Sequence, residues 1–310
     1  MWKYTLKRVF WACITLLVIL FVLFLLLDFM PGSPFNTEKL TAEQLEILRR
    51  FYGLDRPFFE KFFIFLKNAL RGDFGISYSI LKNAPVSSIV LPRLGVSIRL
   101  GFQALLLGSI FGVLFGTISG SKQNSWADTI STVIAVIGVS VPSFVFALTL
   151  SFTLGYKLGW FPLTFITSQP FLSSILPTIS LSMFIMAQVT RFLRTEFVEV
   201  LDSEYIKLAR VKGLPRKQQI FGHGFRNALI SVITIYGPLV VNVLTGSLVV
   251  EKIFSIPGIG SMLVTAIQSS DYNVIVMIAF IYSALYIVVN LIVDILYGVI
   301  DPRIRVGKGA

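Results

Sequence analysis

Glu204-Tyr-Ile-Lys-Leu-Ala-Arg-Val-Lys-Gly-Leu-Pro-Arg-Lys217 lies inside the one strongly charged, helix-patterned segment, Arg191 to Arg226, that separates uncharged runs long enough to cross a bilayer. Val200, Leu201, Tyr205, Leu208, Ala209 and Val211 are spaced as one face of a helix, with Lys207, Arg210 and Lys212 on the other. Gly213 is placed to end that helix in the left-handed conformation, Leu214 to fold back onto its last apolar turn, and Pro215 to begin a second helix after the bend. Basic residues between membrane spans ordinarily mark a solvated connection on the cytoplasmic side. Ala209 and Gly213 favour docking instead, because small residues beside a helix end let another protein's surface come close.

Around this segment the chain of 310 residues is 55% apolar, with a mean hydropathy of +0.80. Soluble domains are roughly half apolar, so the chain reads as a membrane protein. The net charge of +11 belongs largely to loops between spans. It is not a nucleic-acid signature, because no basic patch interleaved with aromatics and no nucleic-acid motif accompanies it. Cys13, alone in the first apolar run, excludes a disulfide within the chain. The single histidine, His223, argues against a metal site of converging ligands and reads as a polar residue near a helix end.

Lys3, Lys7 and Arg8 precede an uncharged run from Val9 to Leu27, close to the roughly 20 residues that a spanning helix needs. The run is too long for a cleaved signal peptide and leads into Asp28-Phe-Met-Pro, which is no cleavage site, so it reads as a retained first span. The polar stretch up to Arg99 has its own punctuation. Thr41-Ala-Glu-Gln44 fits a capping box, Pro57 starts a helix carrying Phe58, Phe59, Phe62, Phe63, Leu66 and Leu70, and Gly72 closes it. Asp73-Phe-Gly75 is a chance likeness to a kinase magnesium motif, since the lysine strand and catalytic loop that give it meaning are missing.

Leu100 to Ser121 reads as the second span, with Gly108, Gly112, Gly116 and Gly120 at a constant spacing of four. Successive members turn by about 40°, so they form a slowly drifting groove for a closely packed neighbour helix. Thr129 to Tyr156 reads as the third span, kinked at Pro142. After a surface or re-entrant segment from Leu158, the fourth begins near Ser174. Asn227 to Val250, containing Pro238, and Tyr272 to Ile300 complete the set. Asp294 in the last run reads as an interfacial or partner-paired carboxylate; a proton relay would need further buried acids, which the spans do not offer by sequence.

Placing the N-terminus inside puts Lys122, the 191–226 loop and Arg303, Arg305 and Lys308 on the cytoplasmic side, leaving Lys157 and Lys252 in the short outer loops. The expectation is an all-α integral membrane protein of the plasma membrane, with six transmembrane helices and both termini cytoplasmic. Residues 1–30 would form the tail and first helix, 31–99 an extracytoplasmic helical cap, and 100–310 a core of five helices with the loop 191–226.

Several stretches then carry a resemblance. Asp28-Phe-Met-Pro-Gly-Ser-Pro34, Tyr52-Gly-Leu-Asp-Arg-Pro57, Arg71-Gly-Asp-Phe-Gly75, Val141-Pro-Ser-Phe144, Glu204 to Leu214, His223-Gly-Phe-Arg-Asn-Ala-Leu229, Glu251-Lys-Ile-Phe-Ser-Ile-Pro-Gly-Ile-Gly260 and Asp301-Pro-Arg-Ile-Arg305 span nearly the whole chain. In that order they resemble the permease subunits of ATP-binding-cassette importers of the oligopeptide, dipeptide and nickel branch, nearest to the B-type oligopeptide subunit. One departure stands out. The wider superfamily opens the loop with Glu-Ala-Ala, where this chain has Lys207, Leu208 and Ala209, so only the second alanine and Gly213 match.

The resemblance implies a type I importer permease fold and a division of labour. Glu204, Tyr205, Leu208, Ala209, Arg210, Lys212, Gly213 and Leu214 would form the helix that sits in a groove of an ATPase subunit. A second homologous permease, two ATP-binding subunits holding ATP and Mg, and an extracytoplasmic peptide-binding protein would complete the assembly in membrane lipid. This chain has no Gly-x-x-x-x-Gly-Lys-Ser/Thr loop, no zinc histidine pair and no serine elbow, so it reads as a transport subunit without an ATPase site or a cofactor. A permissive peptide path between the two permeases would have small or neutral polar walls, for which Gln103, Ser140, Gln188, Asn242 and Thr245 are candidates, each equally suited to helix packing. Dipeptides or nickel chelates are the alternative cargo within the branch. A proton-coupled secondary transporter and a membrane protein without transport are the alternatives outside it.

Overall fold

The computed structural model describes residues 2–29, 35 and 41–300, which form helices joined by turns and loops, with no β-strand among the described residues. The helices are α1 (Trp2–Phe29), α2 (Ala42–Phe51), α3 (Phe58–Ala69), α4 (Val86–Ser121), α5 (Trp126–Ser140) and α6 (Ser143–Leu150), the last running on as a π-helical turn, Ser151–Lys157. Then come α7 (Pro170–Leu201), α8 (Glu204–Val211), α9 (Arg216–Gln218), α10 (Phe225–Val232), α11 (Tyr236–Ile253), α12 (Ile259–Gln268) and α13 (Tyr272–Ile300). A π-helical turn, Gln219–Gly224, joins α9 to α10, and a 3₁₀ turn, Ile233–Ile235, precedes α11. Among the described residues five helices are long and apolar enough to cross a membrane, or six if the bent pair α5 and α6 is one span.

The spans differ from their expected bounds for identifiable reasons. Hydropathy placed the start of the second at Leu100, yet α4 runs 36 residues from Val86. At 1.5 Å per residue that is roughly 54 Å, well beyond a hydrocarbon core of about 30 Å, so the helix is longer than the apolar layer it crosses. The expected boundary at 99 therefore falls inside a helix. Likewise α7 carries on through Arg191 to Leu201, so the charged segment begins as an extension of a span. Instead of a kink at Pro142 there is a break of 101°. Proline disfavours helical geometry in the residue before it; Val141 is extended at φ −91°, ψ 121°, one helix ends at Ser140 and another starts at Ser143.

The chain divides into two compact units, one of Met1–Val96 with Pro257–Leu291 and the other of Ser97–Ile256 with Ile292–Ala310. The first unit thus takes α12, a helix not foreseen from sequence, and most of α13 together with the N-terminal part. In the first unit Val86, Val90, Ile259, Met262, Val274 and Ile278 share one buried core. Phe21 and Phe24 of α1 meet Phe58 and Phe62 of α3 edge to face, with centroids 5.4–5.5 Å apart. The capping box is formed: Gln44 N donates to Thr41 Oγ1 at 3.3 Å and Thr41 N to Gln44 Oε1 at 3.0 Å.

In the second unit α7 is the hub. Ideal β-carbons built at Gly108, Gly112, Gly116 and Gly120 would lie 2.6–2.9 Å from the Cβ atoms of Ile185, Val189, Leu193 and Phe197, so α4 meets α7 almost backbone to backbone. A β-carbon at Gly138 of α5 would come as close to Ala187. Lipid provides no hydrophobic expulsion to drive helices together, so close packing of this kind supplies the attraction.

Candidate functional site

The segment after α7 is built from a two-residue joint, Asp202 and Ser203, followed by the eight residues of α8. Its end is a complete Schellman motif. Gly213 adopts φ +77°, the Gly213 amide donates to the Arg210 carbonyl at 3.0 Å and the Leu214 amide to the Ala209 carbonyl at 3.2 Å. Pro215 then starts the next short helix, and Gln219 Nε2 ties the bend by donating to the Leu214 carbonyl at 2.7 Å. Glu204 and Lys207 pair at 2.7 Å on the exposed side, and the Glu204 carboxylate raises the Lys207 ammonium above its ordinary value.

Burial divides α8 in a way that the helical spacing did not. Ile206 and Ala209, three residues apart, are buried within this chain. Tyr205, Leu208 and Val211 are 44%, 54% and 84% exposed and form the outward apolar stripe, flanked by exposed Lys207, Arg210 and Lys212. The small side chain of Ala209 packs inside this chain. Gly213 stays exposed, with nothing within 4 Å of where a β-carbon would stand. An apolar stripe of this kind, rimmed by positive charge at a sharply capped bend, has the chemistry of a docking surface.

The five polar candidates on the spans do not share one setting. Gln103 Oε1 accepts from Thr178 Oγ1 at 3.3 Å, and Gln188 is half-buried. Ser140 and Asn242 are exposed, while the side chains of Thr245 and Asp294 lie outside the described residues. A cleft of about 920 Å³ in the first unit is lined by Arg49, Tyr52, Lys61, Asp73 and Tyr272 among others, and by none of the five. His223 is exposed, and no group of three metal-ligating side chains occurs among the described residues.

Buried acids, not expected from the sequence, are present. Glu251 is fully buried and accepts from Ser97 Oγ at 2.6 Å. Asp271, also fully buried, accepts from Ser77 Oγ at 2.5 Å and from the amides of Tyr78, Ser79 and Ile80 at 3.1–3.2 Å. Burial, with the Asp271 charge adding to it, pushes the Tyr78 phenol up to about 12. Asp128 receives Arg194 Nε at 2.7 Å and the second guanidinium nitrogen at 2.8 Å. Ser125-x-x-Asp128 is legible as a helix start, and Ser125 Oγ does accept from the Asp128 amide at 3.3 Å. The partner 66 residues away leaves no local trace.

Comparison with known proteins agrees with this architecture. The family model for the binding-protein-dependent transport system inner membrane component matches residues 112–306, and the model for the N-terminal part of such components matches 1–101. The chain is 44% identical to the dipeptide transport system permease protein DppB of Lactococcus lactis, over 98% of this chain and 99% of that one. It is 36% identical to the oligopeptide transport system permease protein OppB of Haemophilus influenzae, over 98% and 100%. With the glutathione transport system permease protein GsiC of Escherichia coli the identity is 34%, over 98% and 99%. A crystal structure of an amino acid ABC transporter with histidines shares the fold, with a TM-score of 0.56 at 14% identity, covering 68% of this chain and 94% of that one. Permease subunits of such systems carry neither an ATPase site nor a cofactor of their own. The chain belongs to the family of binding-protein-dependent transport system inner membrane components: it is a multi-pass permease subunit of the plasma membrane, working within an ATP-binding-cassette transport complex, and is not an enzyme.

Proposed function

We propose that this permease imports peptides, pairing with a second homologous permease, two subunits that bind ATP and Mg, and an extracytoplasmic peptide-binding protein. The observation that carries the reading is near full-length likeness at 34–44% identity to permeases named for dipeptides, oligopeptides and glutathione. Oligopeptides are the first reading, on the resemblance to the B-type oligopeptide subunit and the 36% identity to an oligopeptide permease. Dipeptides are the second reading, supported by 44% and 39% identity to the dipeptide permeases of Lactococcus lactis and Bacillus subtilis. Gln103, Ser140, Gln188, Asn242 and Thr245 are the wall residues proposed for the path. In this reading α8 faces the cytoplasm, and its stripe of Tyr205, Leu208 and Val211 docks on an ATPase subunit.

The test is uptake of labelled peptides of two to six residues by cells lacking this chain and by cells in which it is restored. Restored uptake that rises with length supports oligopeptides, and uptake confined to the shortest supports dipeptides. No peptide uptake, with accumulation of a nickel chelate or of none of these, overturns the reading. Gly213→Trp and Gly213→Asn then probe docking. Asparagine tolerates the left-handed conformation and keeps the bend, whereas tryptophan is strained at φ +77°; the space for a β-carbon is open for both. The tryptophan variant is expected to insert normally and lose ATPase binding and uptake, while the asparagine variant retains both.

A further inference from the structure

The close contacts between α4, α5 and α7 raise a mechanical question. Glycines facing a neighbour backbone give attraction through proximity, and packed helices are able to slide past one another in shear. A displacement applied at α8 reaches α7 across the joint at Asp202 and Ser203, and α10 through α9 and the π-helical turn on its other side. Without a fixed register, part of it would be lost as slippage of α7 along the glycine groove.

The structure supplies a pin at that end of the groove. Asp128, its side chain 5% exposed, takes both nitrogens of the Arg194 fork from α7. The same carboxylate accepts from Ser119 Oγ in the last turns of α4 and from Thr132 Oγ1 of α5 at 3.3 Å. The amide of Asn124, held at φ +60° in the turn between those helices, donates to it at 2.8 Å. One carboxylate thus joins α4, the turn, α5 and α7. Gly120 lies against Phe197 one turn beyond Arg194, and Arg216, just past the bend after α8, reaches the Ser121 carbonyl at 3.4 Å. Well-packed apolar residues would stabilise such a position equally well, whereas a bidentate ion pair fixes register.

We propose that Asp128 and Arg194 are positioning residues for transport, which lock α7 to the α4–α5 turn so that motion imposed at α8 moves these spans as one body. The proposal rests on the reading of α8 as the site where the ATPase subunits act. It is tested in the complete reconstituted transporter with Asp128→Asn, Arg194→Gln and, to keep the charge, Arg194→Lys. The first two are expected to assemble and hydrolyse ATP while the peptide moved per ATP falls about tenfold, as for a coupling free energy near 1.4 kcal/mol. Arg194→Lys is expected to recover part of the ratio. An unchanged ratio overturns the proposal, as does a loss of uptake and hydrolysis in equal proportion.

A second measurement holds even if those variants fail to assemble. With Cys13→Ser, spin labels at Gln123→Cys and Asp202→Cys report the distance between the turn and the end of α7. In the otherwise native transporter this distance is expected to keep one value with and without ATP, and a shift between the two states overturns the proposal directly. Absence of any peptide transport by the native complex would instead remove the functional reading, and leave the labelled distance as the measure of rigidity.

Discussion

An ideal β-carbon at Gly112 would stand 2.6 Å from Val189 Cβ and 3.0 Å from the Met186 carbonyl oxygen, distances at which α4 and α7 must part. Gly95 lies in the same helix with nothing within 4 Å of such a carbon. One substitution therefore has opposite signs at two sites on one helix. Gly95→Ala removes only the conformational freedom that glycine brings to an unfolded chain and is expected to stabilise by about 0.5–1 kcal/mol. Gly112→Ala overpacks and is expected to cost about 1–3 kcal/mol. Thermal unfolding of the two purified variants in detergent checks the contrast, and a melting temperature lowered equally by both would refute it. The spacing of four among the glycines was legible in the sequence, because one helix repeats its face at that interval. Which helix they meet was not, since Ile185, Val189 and Leu193 are merely apolar residues in another apolar run. The same limit hid Ile206, whose burial turns α8 so that Ala209 faces inward.

Single elements were read best where their signals are local. The capping box at Thr41, the helix from Pro57 and the stop at Gly213 rest on neighbours within a few residues and stand as read. Asp271 shows the opposite case: it immediately precedes α13, where a short carboxylate would ordinarily cap its own helix, yet its side chain gathers Ser77 and the amides of Tyr78 to Ile80, some 190 residues earlier. The loop between α3 and α4 is thereby ordered by one buried carboxylate. Asp271→Asn replaces an accepting oxygen with an N–H₂ group that confronts the same N–H donors. Hydrogen bonds to a charged group contribute about 1.5–3 kcal/mol each, so local opening of this loop is expected to become easier by at least about 2 kcal/mol. Hydrogen exchange of a peptide covering residues 76–82 reads this as faster exchange, with peptides from α7 unchanged. Equal rates in both proteins would show that the loop is held by its other contacts.

At the scale of the whole chain, hydropathy found the apolar runs but not where their helices stop, because α4 and α7 carry on as helices after their residues turn polar. What the runs leave open is direction, for which the charge distribution gives an expectation. Residues 191–226 carry eight Lys and Arg against four Asp and Glu, the bias that retains a segment in the cytoplasm. The stretch around α2 and α3, longer and mixed in sign, is left out of that count, because long loops cross largely regardless of charge. Two exposed positions separate the alternatives: Leu70, 91% exposed at the end of α3, and Val211, 84% exposed at the end of α8. In a Cys13→Ser background, single cysteines are placed at each and treated with a membrane-impermeant maleimide, in cells that express the chain without ATPase subunits, so that nothing covers α8. Leu70→Cys is expected to be labelled in intact cells, and Val211→Cys only after permeabilisation. Labelling of Val211→Cys from outside would put α8 beyond the reach of any ATP-binding protein in the cytoplasm. The spans would then have no mechanical connection to a fuel, and both the proposed docking and the rigid linkage through Asp128 would lose their purpose.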